Sequence, residues 1–599
     1  MDDQNKNLIL AMALSGLVLL VWLTWFSPEP PVEDPNTLPN ASTTAASDGV
    51  APPAEASASA APAVALTEEA PRILIETPRL SGSMSLIGGR IDTLTLSDYR
   101  LTLEPDSANV ELFRPSGEAD AYYTLYGWTS AGETGGGALP NGQTLWQIES
   151  GNVLTPETPV TLVWSNDAGL VFRRTVSVDD NYMFQVEQSV ENNTGVEVSL
   201  RPYGQIVRHT EPDDLKGFFI IHEGAIRMAD GELAETDYDD MVDLVYSERE
   251  GARVSSTPVE ANGWIGFTDH YWMTTLIPTP GQAFTAVEKY YSAADIYLTE
   301  VRQPTVSIAP GTVATAQSGL FAGAKEWSTI RDYERSGIQG FLDSIDWGWF
   351  FFLTKPIFAV LHWLNSVIGN MGWSIIALTL LIKALLLPLA YKSYVSMARM
   401  KEIQPEMEKL KERAGDDRQK LQQEMMKLYK EKKVNPAAGC LPILLQIPIF
   451  FSLYKVIFVT LELRQAPWIG WIKDLSAPDP SSFYNLWGIL PWAAPEAGTI
   501  LATIFIGILP LILGISMWLQ QKLNPAPTDA TQAMVFAWMP WIFMFMLGSF
   551  PSGLVLYWIA NNTITFGQQY FIMRSQGYKP DVLGNVLKAF KRDKSAPTK

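Results

Sequence analysis

The side chains best placed to do chemistry in this 599-residue chain are polar groups set inside apolar runs. Lys383 stands in the middle of "LTLLIKALLLPL" (378–389), which has no other charge. A charge at the centre of a membrane helix costs roughly 2.5–3.5 kcal/mol on insertion scales, so such a residue faces a bundle interior or a wet cavity and marks a path for substrate or ion. Thr379 precedes it by one helical turn on the same face. Gln446 is alone among apolar neighbours in "LPILLQIPIF" (441–450). In the last apolar run Trp558, Asn561, Thr565 and Gln568 recur at steps of three, four and three, with Asn562 and Gln569 beside them, which sets them along one helix face. Together these residues can line one hydrated pocket. Plain interhelical hydrogen bonding, about 0.6 kcal/mol per contact, is the competing reading.

The chemistry on offer is electrostatic rather than covalent. No nucleophile–base pair, carboxylate pair or phosphate loop occurs in the apolar runs, which argues against an enzyme. The single cysteine, Cys440, excludes an intrachain disulfide and a cysteine-based metal site. His209, His222, His270 and His362 lack ligand spacing and read as structural. No cofactor or metal is expected.

Several kinds of element must position these residues. Residues 8–26, "LILAMALSGLVLLVWLTWF", are uncharged and just long enough to span a bilayer. A secretory signal would have a shorter core and a small-x-small cleavage site. "SPEPPVEDP" follows instead, so residues 1–26 read as an uncleaved anchor. Lys6 flanks one side and no basic residue follows until Arg72, which puts the N-terminus in the cytoplasm. Residues 27–70, rich in Pro, Ala, Ser and Thr, read as a flexible linker. From 71 to 340 apolar and polar residues alternate, as in "RIDTLTLSDYRLTLE" and "YMFQVEQSV", with turns such as "ENNTG" between them. Period two at this frequency predicts a large antiparallel β-sandwich.

Residues 346–370 are apolar and rich in tryptophan but carry Lys355, Pro356 and His362. Were they to span, the basic segment beyond 391 would face outward, so an amphipathic helix in the outer interface is expected. Five further spans follow at about 373–392, 441–463, 500–520, 534–550 and 552–573, making six with the anchor. The loop 392–440 has 12 basic and 8 acidic residues, and the tail 576–599 is basic, so both fall in the cytoplasm. Residues 27–346 hold 18 Lys and Arg against 47 Asp and Glu, an asymmetry that suggests two compartments. The expected fold is therefore a polytopic α-helical membrane protein with a five-helix core (373–575) and a large outer β-sandwich.

The loop at 392–433 reads as a helical hairpin. Met400, Ile403, Met407 and Leu410 form a stripe on its first arm, and Leu421, Met425 and Leu428 on its second, with Met426 adjoining. "AGDD" (414–417) makes the turn, and Asp417 can cap the second arm. The stripes can pack on each other. Methionines also adapt to irregular apolar partners, and the basic surface can face RNA or anionic headgroups.

The stretches "GDDRQKLQQEMMKLYKEKKVNPAAGCLPILLQIPIFFSLYKV" (415–456), "ELRQAPWIGWIKDLSAPDP" (462–480) and "FPSGLVLYWIANN" (550–562) resemble the YidC membrane protein insertases, relatives of the mitochondrial Oxa and chloroplast Albino proteins. The resemblance is dense over 347–575. The anchor, linker and acidic domain look like the Gram-negative form, with "GWIGFTDHYWMTTLIP" (263–278) similar too. It implies insertion of small membrane proteins, alone or beside the Sec translocon, and help in folding larger ones. It implies five helices around a hydrophilic groove open to cytoplasm and lipid. Nascent membrane proteins, the Sec translocon, ribosome and targeting factors at the cytoplasmic face, and membrane lipids are the implied partners, in a bacterial inner membrane with the large domain in the periplasm. Lys383 occupies the place of a positive groove residue that is arginine in many members. Arginine stays charged and offers a planar fork, whereas lysine can lose its proton when desolvated. Thr379 and Tyr557 match positions that meet the incoming segment. Two rival classes stand beside this reading: a secondary transporter using Lys383 for ion coupling, and a membrane-tethered glycan-binding protein resting on the β domain.

Overall fold

A computed structural model describes residues 71–578, apart from 133–136, 214, 216–220, 416, 433–440, 488, 496–498 and 525–529. The expected anchor (1–26), the linker (27–70) and most of the basic tail lie outside the described residues.

The alternating sequence forms two sheets, one of twelve strands and one of nine, packed face to face over a shared core. Leu170–Val178 shows the period directly: Leu170, Phe172, Arg174, Val176 and Val178 are buried, and the residues between them are less so. Arg174 takes a core position without a carboxylate. Its two terminal nitrogens donate to the carbonyls of Gly88 (3.0 Å), Gly89 (2.9 Å) and Tyr126, and the guanidinium lies over Trp146, so backbone meets these buried donors. Strands Gly263–Thr268 and Trp272–Pro278 are buried almost throughout rather than alternately. The outer face of their sheet is covered too: Trp264 and Phe321 both meet Phe341, which follows the last strand.

Eleven helices are described: α1 (Tyr238–Val242), α2 (Trp327–Arg335), α3 (Phe351–Ile368), α4 (Met371–Leu385), α5 (Leu387–Ala414), α6 (Arg418–Glu431), α7 (Leu441–Val459), α8 (Ile500–Ile504), α9 (Ile508–Leu523), α10 (Ala530–Met546) and α11 (Ser552–Ser575). Helix α11 packs against α4, α5 and α9, while α9 also meets α10, and α3 packs against α4 and α7.

Two of the expected spans are broken. In place of one helix over 373–392, α4 and α5 are bent by 69° at Leu386. Pro388, in the first turn of α5, has no N–H to give to the carbonyl four residues back, and it disfavours helix at the residue before it. In place of 500–520, α8 stops at Ile504 and α9 starts at Ile508. The loop before α8 caps the restart, with Asp479 accepting the Leu509 N–H (2.7 Å) and Ser481 the Ile508 N–H (2.9 Å). By length and composition, Phe351–Ile368 and Gln532–Ser549 can each cross a membrane, and the bent pair is a third if taken as one span.

The turn "FPSGL" explains itself by close approach. The N–H groups of Ser552 and Gly553 donate to the carbonyls of Ala477 (2.7 Å) and Leu475 (2.8 Å). A Cβ on Gly553 would sit 3.1 Å from the Leu475 oxygen, so a larger residue there would press the turn away from the "DLSA" loop by a few tenths of an ångström. The β domain rests on this end of the helices. His270 Nε2 donates to the Phe458 carbonyl (2.8 Å), Arg464 donates to the Arg100 carbonyl (2.6 Å), Lys455 pairs with Asp346, and Trp327 stands against Phe358 and His362.

Candidate functional site

Three helices bring the polar residues together. Lys383 is three residues before the bend at Leu386, half-buried, on the side of α4 that meets α7 and α11. Its ammonium donates to Gln446 Oε1 on α7 (3.1 Å). The Gln446 amide in turn donates to the Tyr557 hydroxyl on α11 (3.0 Å). Gln568, three turns further along α11, donates to the Lys383 carbonyl (3.2 Å). Among the described residues no carboxylate lies within ion-pair distance of Lys383. The ammonium is therefore held by neutral dipoles, with no carboxylate among the described residues to neutralise it. A charge so held favours an anionic visitor, because the amide can be exchanged for a carboxylate with a gain in attraction.

The rest of the α11 stripe divides. Asn562 donates to Ser516 on α9 (3.1 Å) and Gln569 to Asn524 (3.2 Å), so these are interhelical hydrogen bonds. Asn561 Oδ1 and Gln568 Oε1 are buried without a protein partner among the described residues. An amide oxygen so placed costs about 1–3 kcal/mol unless water or a ligand reaches it. Seven residues apart, both lie on the helix face that carries the Lys383 contact.

Two expected groove residues are placed differently. Thr379 is buried, and its hydroxyl donates to the Ile375 carbonyl of its own helix (2.7 Å), as threonine in an apolar helix commonly does. Trp558 stacks on Phe450 (5.4 Å between ring centres) and meets Phe550 edge-on, so its ring belongs to an aromatic contact between α7 and α11. Ser516 and Asn524 had not been singled out. Ser516 is one small hydroxyl within "LILGISMWLQ" (511–520), too slight a signal to separate from packing.

The hairpin of α5 and α6 closes on itself. Ile403, Met407 and Leu428 are buried together, flanked by Met400, Leu410, Met425 and Tyr429. Asp417 caps α6 through the Lys420 N–H (3.0 Å), and Lys432 pairs with Glu406 (2.7 Å). Met426 points outward and is half-exposed.

Comparison with known proteins fits both halves. Residues 72–360 match the family described as the YidC periplasmic domain, and 363–579 match the 60Kd inner membrane protein family. Proteins named membrane protein insertase YidC are similar over the whole length. That of Dinoroseobacter shibae is 65% identical with all of both chains covered, that of Jannaschia sp. 60% with 99% of each, and that of Ruegeria pomeroyi 60% with all of each. Full-length identity at this level, with a polar site held between apolar helices below a β-rich domain, places the chain in the YidC family of membrane protein insertases, inner-membrane proteins with a periplasmic domain.

Proposed function

We propose that this chain inserts its clients through a hydrophilic groove floored by Lys383, open to cytoplasm and lipid and closed toward the periplasm. The observation that carries this reading is a cation held by Gln446, which is itself oriented by Tyr557, with no carboxylate among the described residues at ion-pair distance. A client's polar or acidic outer tail is drawn to the charge while its apolar segment passes sideways into lipid. Lys383, Gln446, Tyr557, Asn561 and Gln568 meet the tail. Thr379, Trp558 and Asn562 hold the walls in place, and Thr565, whose hydroxyl is buried, faces the tail with Asn561 and Gln568.

The chain crosses the membrane six times, with both termini in the cytoplasm and the β domain outside. The basic excess of 392–440 and of the tail supports this orientation. Helix α3 lies in the outer interface. In support, Thr354, Phe358, Leu361 and Leu364 are buried on one face, whereas Phe351, Phe352, Trp363 and Val367 are exposed on the other. The hairpin meets ribosome and targeting factors, and the Sec translocon receives or supplies multi-span clients.

The test is reconstitution. Purified protein in liposomes is expected to insert a small single-span client without nucleotide, at a rate that follows protein content. Solute flux without insertion would support a transporter instead, and glycan binding alone a tethered sugar-binding protein.

A further inference from the structure

Where the β domain meets α3 and α7 there is a cavity of about 1040 Å³, at the upper end of the range for ligand sites. It is separate from the Lys383 site. One wall is aromatic: Trp349, almost fully exposed, with Phe351 and Phe451 about half-exposed. The opposite wall is acidic. Glu235 and Asp237 are two apart on strand Glu232–Asp237 and so project from the same face. Thr236, between them, faces the other way and bonds to Glu288.

The charges do not balance. Four carboxylates line the cavity against two lysines and His222, where burial is outweighed by Asp237 and Glu235, which make it more basic than an ordinary imidazole. Lys355 is paired with Asp343 and Lys455 with Asp346. Asp237 is met by His222 Nδ1 at 2.6 Å, and Glu235 has no ion pair among the described residues. Desolvation is the largest influence on Glu235 and lifts its carboxyl above the ordinary range, while His222 and Lys455 pull the other way.

We propose that this cavity seats the headgroup of an outer-leaflet aminophospholipid, its ammonium between Glu235 and Asp237 and its chains along Trp349, Phe351 and Phe451. The excess of carboxylate excludes a purely anionic headgroup. A primary ammonium offers three donors to the two acids, which a quaternary choline cannot do. Indole and phenyl rings at an interface are suited to the glycerol and upper acyl region. The seat rests on the interfacial placement of α3. A lipid bound there would tie the β domain to the helices on the lipid side, where Lys455 and Asp346 tie them on the protein side.

The experiment is native mass spectrometry of the full chain in detergent, titrated with dioleoyl phosphatidylethanolamine, phosphatidylcholine or phosphatidylglycerol. The wild type is expected to retain phosphatidylethanolamine on the order of tenfold better than either other lipid, equivalent to about 1.4 kcal/mol. Glu235→Gln with Asp237→Asn is expected to bring that ratio close to one. Trp349→Ser, a change at an exposed residue, is expected to weaken all three lipids and leave the ratio intact. Equal retention by the wild type, or a ratio unchanged in the acid double variant, overturns the proposal. So does displacement of the lipid by a basic peptide at lower concentration, which would make the cavity a peptide site. Placement is read separately, from a nitroxide at Phe352→Cys in a Cys440→Ser background. A label at headgroup depth without lipid selectivity overturns the seat alone, whereas a label at the bilayer centre overturns the placement and the seat with it.

Discussion

At the scale of single residues, the site depends on charge more than on shape. Lys383→Arg is expected to insert clients at close to the normal rate, since the cation persists and Gln446 can still accept from it. Lys383→Ala is expected to slow clients with acidic tails roughly tenfold, a loss of about 1.4 kcal/mol, and neutral-tailed clients much less, at unchanged protein level. Equal rates for both client classes in Lys383→Ala would show that the charge does not select. Lys383 and Gln446 were legible in the sequence because a lone polar residue in an apolar run stands out. That they can share one pocket was legible too, but the direct hydrogen bond between them was not, because it depends on the relative rotation of two helices whose contacting residues are 63 apart in sequence. The misplacement of Trp558 has a related cause: periodicity gives the face of a helix but not whether the neighbour there is water or Phe450. A second test at this scale concerns the buried cluster of Lys289, Glu250, Glu300 and Arg302 in the β domain. Arg302→Met leaves Glu300 short of a partner in the interior and is expected to destabilise the β domain by about 3–5 kcal/mol in denaturant unfolding. Burial alone would raise the Glu250 carboxyl, but Arg302 and Lys289 outweigh it and hold it down at about 2. A lowered acid contributes stability that is fully present above its unfolded value and lost as pH falls through the folded one. The stability gap between wild type and Glu250→Gln is therefore expected to close as pH falls from about 4.5 towards 2.

At the scale of elements, hydropathy gave the apolar segments but not their breaks. Residues 373–392 are apolar apart from Ser374, Thr379, Lys383 and the terminal Lys392, so a single helix is the economical reading, and only Pro388 signals otherwise. The 69° bend has a consequence for the site, since it puts Lys383 near the end of α4 rather than in the middle of a long straight span. The hairpin was more legible, because its two stripes have helical spacing and a cap between them. Its packing falls into two parts. Close to the bend, Ala390 and Tyr394 of α5 pack against Ile572 of α11, while further along α5 Ile403 and Met407 form with Leu428 a cluster belonging to the hairpin alone. Shortening the hairpin between about 405 and 428 removes most of the second cluster and leaves the first. The variant is expected to stay in the membrane at normal level with insertion impaired, scored by pulse-labelled client accumulation. Loss of the protein itself would show that the distal hairpin supports the fold, and normal insertion would show that delivery does not use it.

At the scale of the whole molecule, the question is how far the β domain and the helices depend on each other. The acidic composition and alternating pattern made the sandwich legible, but nothing in them disclosed where it docks. The docking residues are single side chains, His270, Arg464, Lys455 and Trp327, with no pattern of their own. They fall into two groups along the chain. His270 and the Arg100 carbonyl belong to the sheets proper, whereas Trp327 and Asp346 follow the last strand and are joined directly to α3. A deletion that spares the second group keeps what braces α3 against α7. The cut must also respect pairing. Val313–Ala324 is laddered on one side to Met183–Asn192 and on the other to Trp272–Pro278. Removing 75–310 would strip both neighbours and leave a twelve-residue strand with two open edges, a template for aggregation. Removing 75–324 takes the strand with its partners and leaves α2 and Asp346 in place. The longer deletion is therefore expected to yield more soluble, monodisperse protein in detergent than the shorter one, and to retain substantial insertion in proteoliposomes because Lys383, Gln446 and Tyr557 are untouched. If the 75–324 deletion folds, by the heat resistance of its helical signal, yet inserts nothing, then the β domain takes part in insertion and the site between α4, α7 and α11 is not sufficient for it.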